Sequence, residues 1–159
     1  MKPIAKRITC LLLALTLLGS LAGCRASDMP FNGGVAFHEL KVTIPDSFLR
    51  DSGQSSEDLW IFEKGGYQQI ILLSRRDAPG DVGASLDDYA AYLLEQGMDA
   101  RRGSFLELDA VLSSCTMDGV FCQEVLFAHG GSFYAVSLRG GTREEFQSLL
   151  DTVAISDGR

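Results

Sequence analysis

A chain of 159 residues with 46% hydrophobic content can bury the core of one domain and is too short for two. Its net charge of −7 argues against nucleic acid or an anionic lipid surface as partner, because their phosphates would repel it. Only 2 histidines and 4 cysteines are present, which leaves little material for a histidine-based metal centre.

The N-terminus reads as an export leader. Lys2, Lys6 and Arg7 precede an apolar run over residues 8–18, and Leu21-Ala22-Gly23-Cys24 follows. That order of charge, short apolar segment and small residues is a secretory signal, and the run is too short to span a membrane comfortably. Leu-Ala-Gly-Cys matches the bacterial lipobox, whose cysteine is lipidated and becomes the first residue of the mature chain. Residues 1–23 are therefore expected to be cleaved and Cys24 to carry acyl chains such as palmitate. Each buried methylene contributes about 0.8 kcal/mol, so two or more chains hold a domain stably at a membrane. Loss of the leader removes three positive charges and takes the net charge from −7 to −10. Residues 24–35 read as a tether rich in small and turn-forming residues, with Phe31 tucked against the domain. Residues 36–159 form the single domain.

Within that domain, Leu40-Lys41-Val42-Thr43-Ile44-Pro45 alternates apolar and polar residues, a half-buried strand stopped by proline. A turn at Asp46-Ser47-Phe48 and a polar loop over residues 51–57 follow. Leu59-Trp60-Ile61-Phe62-Glu63 and Tyr67-Gln68-Gln69-Ile70-Ile71-Leu72-Leu73, joined by Lys64-Gly65-Gly66, give a hairpin. Residues 75–83 are charged, contain Pro79-Gly80, and read as loop.

Leu86, Tyr89, Ala90, Leu93 and Leu94 recur at helical spacing after a Ser85 cap with Asp88 three residues on, and Gly97 marks the end. From Arg102 the period returns to two, with Leu106, Leu108, Ala110 and Leu112 on one side of a strand. Asp118-Gly119 is a strong hairpin turn. Phe121, Val125 and Phe127 continue the inner side of the return strand, and a further turn at residues 129–132 leads into Phe133-Tyr134-Ala135-Val136-Ser137-Leu138. Thr142 and Glu145 then form a capping box before Phe146, Leu149, Leu150 and Val153, a second amphipathic helix. The fold class is α+β: an antiparallel sheet with two helices packed on it, both expected on one face.

If Asp118 and Gly119 occupy the turn, Cys115 and Cys122 sit directly opposite each other, Cα atoms about 4.5–5.5 Å apart and within disulfide range. Their side points away from Leu112 and Phe121. A structural disulfide is the expectation for an exported chain; free thiols, or a redox or metal pair, are the alternatives. The spacing is not Cys-x-x-Cys and no helix N-terminus stands nearby to activate a thiol. Val111, Leu126 and Ala128 make the cysteine face too apolar to stand open, so the first strand pair, the tether or a partner should cover it.

No convergent catalytic set emerges. His38 and His129 have no second ligand at metal spacing, and no Gly-x-Ser-x-Gly elbow exists. The Gly-Gly pairs at residues 33, 65, 130 and 140 fall between elements, where turns need positive φ. Asp87-Asp88 and Glu144-Glu145 suit the first turns of the helices, where the macrodipole favours acids. Arg75-Arg76 and Arg101-Arg102 solvate loop or strand ends. Trp60, Tyr67 and Tyr134 are the candidate ligand-stacking residues, although aromatics in strands are more often core. No cofactor is implied.

The pattern resembles the PsbP-like α/β/α sandwich and, within it, bacterial DcrB-type envelope lipoproteins, over residues 37–156. The resemblance rests on the entry strand through Phe48, Trp60-Ile61-Phe62 with Ile70-Ile71-Leu72-Leu73, the helix over residues 85–97 and the meander over residues 109–138. The closing helix with Ala154-Ile155-Ser156 completes it. Members include an oxygen-evolution accessory subunit, a nuclear Ran-binding protein and envelope lipoproteins. The resemblance implies a binding or accessory domain without catalysis, and it supplies no functional residues. The expected protein is thus a non-enzymatic, extracytoplasmic lipoprotein, held at the membrane through Cys24 and partnered by another envelope protein. A small-solute-binding lipoprotein is the alternative, and an envelope hydrolase a more distant one.

Overall fold

A computed structural model describes residues 33–78 and 80–156. The expected leader, Cys24 and Phe31 lie outside the described residues. In chain order the strands are β1 (Gly33–Phe37), β2 (Leu40–Ile44), β3 (Leu49–Arg50), β4 (Leu59–Lys64) and β5 (Gln69–Asp77). Helix α1 (Val82–Glu95) follows, then β6 (Asp99–Phe105), β7 (Leu108–Met117), β8 (Val120–His129) and β9 (Ser132–Arg139). Helix α2 (Arg143–Leu150) and β10 (Ala154–Ile155) close the domain. Seven strands form one sheet in the order β3-β4-β5-β9-β8-β7-β6, and β1-β2-β10 form a second, smaller one. All pairings are antiparallel.

The alternation of side chains sorts the large sheet into two apolar faces. On one, Phe62, Ile71, Leu73, Ala110, Val125, Phe127, Tyr134 and Val136 pack against Phe37, Leu40, Val42 and Ile44 of the small sheet and Phe146, Leu149 and Leu150 of α2. On the other, Val111, Leu126, Phe133 and Ala135 pack against Leu86, Tyr89, Ala90 and Leu93 of α1. The helices therefore lie on opposite faces, not together on one as expected. The reason is the length of chain with an apolar stripe: β1, β2 and β10 claim the room beside α2, so α1 finds its burial on the reverse. The cysteine face is covered accordingly, by α1 and not by the first strand pair.

Other expectations shift by local chemistry. β1 begins at Gly33, inside the expected tether, and pairs Gly33 with Ile44 and Gly34 with Thr43; that glycine pair is strand, not connection. β5 runs through Arg75, Arg76 and Asp77, expected as loop, because β9 offers Tyr134, Phe133 and Ser132 as ladder partners. The Arg76 guanidinium lies 5.5 Å from the Tyr89 ring centre and 5.3 Å from that of Phe133, a cation over aromatic faces inside a strand. Asp81, not Ser85, caps α1, accepting from the Ala84 N–H at 3.0 Å. Ser85 lies one turn in and donates its hydroxyl to the Asp81 carbonyl at 2.7 Å. Asp87 and Asp88 consequently stand beyond the first turn, and Asp87 pairs with Arg102 instead. The capping box of α2 forms as read, Thr142 Oγ1 accepting from Glu145 N at 3.1 Å while Glu145 accepts from Thr142 N at 2.8 Å.

The single strand expected from Arg102 is two strands. The chain reverses at Leu106-Glu107, with φ of 51° and 64°, so the expected three-strand meander has four strands. Left-handed backbone is normally taken by Gly, Asn or Asp, and nothing about Leu-Glu announces it. Opposite, Gly103 leaves room for a side chain of β7: a Cβ there would lie 2.7 Å from the Leu112 Cδ1, so that the leucine would have to turn aside.

Candidate functional site

Asp118 and Gly119, at φ of 52° and 76°, make the two-residue turn that sets the β7–β8 register, so that Cys115 faces Cys122 and Thr116 faces Phe121. Both cysteines are free thiols, Cys122 buried and Cys115 half-buried. The register is as read, and the two sulfurs are unbonded in this structure. Cys122 Sγ donates to the Val120 carbonyl at 3.7 Å. Burial pushes the Cys122 thiol up to about 11, with the neighbouring Cys115 adding to it, and burial raises Cys115 as well. Both are therefore protonated at neutral pH and neither is a poised nucleophile.

The pair floors a cleft between the sheet and the C-terminal end of α1, a cavity of about 40 Å3. Tyr89, Leu93 and Met98 wall it from the α1 side, and Met117, Ser113, Glu124, Ser137 and Arg139 from the sheet. Glu124 shares the face of Cys122 because the two are two residues apart on one strand. Its carboxylate accepts from Tyr89 Oη at 2.6 Å and from Ser137 Oγ at 2.9 Å. The Tyr89 hydroxyl is raised well above its ordinary value, first by burial and then by the Glu124 charge. Tyr89 counted only as part of an apolar stripe in the sequence, and Glu124 was missed. The signal was its parity with Leu126 and Ala128, a carboxylate on a face otherwise apolar.

At another edge the turns β1–β2 and β8–β9 carry both histidines. His38 Nε2 stands 3.0 Å from the Glu57 carbonyl and 3.2 Å from Asp58 Oδ1, and Asp58 also pairs with Arg75 at 3.3 Å. His129 Nε2 lies 3.3 Å from Glu39 Oε2, to which the Tyr134 hydroxyl donates at 3.5 Å. Burial and the Glu39 carboxylate raise the Tyr134 hydroxyl. The edge is a set of mutually paired polar side chains. Among the described residues no group of three or more His, Cys, Asp or Glu could hold a metal ion.

The three candidate stacking residues do not converge. Trp60 packs edge-on to Phe37 at 5.2 Å under the Arg50 guanidinium at 3.8 Å. Tyr134 is core, stacked on Phe127 at 5.9 Å. Tyr67 joins Ile61, Ile70 and Leu72 on the reverse face, its hydroxyl bonded to Asp51 and to Gln54 Nε2. Burial and Asp51 raise its pKa.

No family model and no curated protein matches the sequence. Among solved structures, the solution structure of cyanobacterial PsbP (CyanoP) from Synechocystis superposes with a TM-score of 0.56 at 10% identity, covering 86% of this chain and 99% of that one. The fold is PsbP-like. A crystal structure of a protein from Bacteroides thetaiotaomicron gives a TM-score of 0.52 at 13% identity, covering 80% of this chain and 50% of that one. At these identities the likeness is of fold alone. No helix among the described residues is long and apolar enough to cross a membrane.

Proposed function

We propose that the chain is a membrane-anchored, extracytoplasmic lipoprotein that serves as a non-catalytic binding or accessory protein of the bacterial cell envelope. The observation that carries this reading is Leu21-Ala22-Gly23-Cys24 at the end of a charged and then apolar leader. The binding role is supported by the way polar side chains are already committed. Both oxygens of Glu124 are taken, Arg75 is held by Asp58 and Asp77, and the thiols are held protonated. Such groups hold an architecture together and are not poised to move protons.

Outside the cytoplasm Cys115 and Cys122 have two fates: the cystine that staples the hairpin, contributing about 2 kcal/mol by loop closure, or the dithiol. Incorporation of radiolabelled palmitate in wild type, lost in Cys24→Ala, tests the anchor. Crosslinking in intact cells tests the role: an envelope protein captured by the wild-type chain and lost with Cys24→Ala is the expected result. An exported product that starts elsewhere than Cys24, or a label that persists in the variant, sinks the reading.

A further inference from the structure

Four sulfur-bearing residues, Cys115, Cys122, Met98 and Met117, line the α1 cleft, and the function above assigns them no ligand. We propose that Cys115, Cys122, Met98 and Met117 form a binding site for a soft monovalent cation, Cu(I), in the reduced protein. Cys115 and Cys122 are directly opposed register partners and both line the cavity, so one ion can be held by both sulfurs. Met98, just past α1, and Met117, at the β7 end, line the same cavity. Their unbranched side chains can close on an ion from either side. Thiolate and thioether donors select Cu(I) among the biological metals, whereas hard cations need oxygen and zinc needs four nitrogen, sulfur or carboxylate ligands. Histidine is missing from the cavity lining, and the one carboxylate there, Glu124, is occupied by Tyr89 and Ser137.

Donor softness, and not charge, selects the ion. Two thiols bind one Cu(I) with release of two protons, leaving a site of charge −1 and no change of oxidation state. Arg139, the ladder partner of Cys122, lines the cavity and offsets that charge, while Glu124 opposes it. The cavity of about 40 Å3 has room for a single ion. Because protons must leave, affinity falls as pH is lowered. Oxidation of the pair to the cystine removes both thiolates, so the site exists only in the dithiol state.

The full chain, reduced and kept anaerobic, would be titrated with Cu(I) supplied as its acetonitrile complex against a chromophoric Cu(I) chelator. One equivalent should be retained. Cys115→Ser and Cys122→Ser should each abolish retention, and Met98→Leu with Met117→Leu should weaken it about tenfold. Copper X-ray absorption on the wild-type protein should show sulfur alone in the first shell, a reading that needs no variant to fold. Failure of the reduced protein to retain Cu(I), retention by the disulfide form, unchanged affinity in the methionine double variant, or nitrogen and oxygen scattering would each overturn the site.

Discussion

The two faces of the large sheet are built from the same strands and differ in what they tolerate. Toward the small sheet and α2, the interior is continuous hydrocarbon and aromatic ring, from Phe37 and Leu40 to Phe127 and Val136. Toward α1, apolar contacts from Val111 to Ala135 give way to thiols, a carboxylate and hydroxyls around the cleft. The first face removes most apolar area from water and so supplies most of the stability. The second keeps polar groups at a cost offset by mutual hydrogen bonds, and it is where ligand chemistry can be housed.

The contrast predicts a graded set of losses on substitution. The largest falls on the first face: Phe127→Ala, fully buried, should cost about 3–5 kcal/mol in denaturant unfolding. Tyr89→Phe removes one donor to Glu124 while leaving the ring packed, and should cost about 1–2 kcal/mol. A double-mutant cycle with Ser137→Ala should then give non-additive losses, since both hydroxyls serve one carboxylate. Additive losses would mean that the cleft is not a unit. Thr142→Ala, which strips the α2 cap, should cost about 1 kcal/mol.

A smaller effect has the opposite sign. Leu106→Asn with Glu107→Gly suits the left-handed turn and should raise the unfolding midpoint by the equivalent of about 0.5 kcal/mol. The smallest is a pH effect. Folding raises the Cys122 thiol from 9.0 to about 11, so its contribution is complete below pH 9.0 and disappears as pH rises through about 11. Its partial exposure to water discounts the amount. Stability that rises across that window would contradict the burial, and iodoacetamide labelling at constant denaturant reads the same group directly.

Sequence pattern carried furthest where chemistry is local. The Asp118-Gly119 turn fixed a register in which Cys115 meets Cys122, and Thr142 with Glu145 marked the start of α2. It failed where a tertiary partner outvotes local preference. Arg75 and Arg76 read as loop, yet β9 supplies a ladder and Phe133 a ring to lie on. Leu106-Glu107 turns β6 back onto β7 with left-handed backbone, and no residue type there signals it. The side on which α1 packs was not written in its own stripe, because an amphipathic helix says only that one face is apolar. For the same reason Met98 and Met117, distant in sequence and unremarkable singly, gave no hint that they share a cavity with the cysteines.

Strand β2 is gripped on one flank by β1 and on the other by β10, and Thr152 Oγ1 accepts from Thr43 N across 109 residues of chain. The small sheet cannot be completed on a nascent polypeptide until nearly the whole domain has left the ribosome. Closing so long a loop is slow compared with local hairpins, which keeps the early chain loose during synthesis. A stop codon after Val153 would leave the outer flank of β2 bare, a ready template for adhesion between molecules.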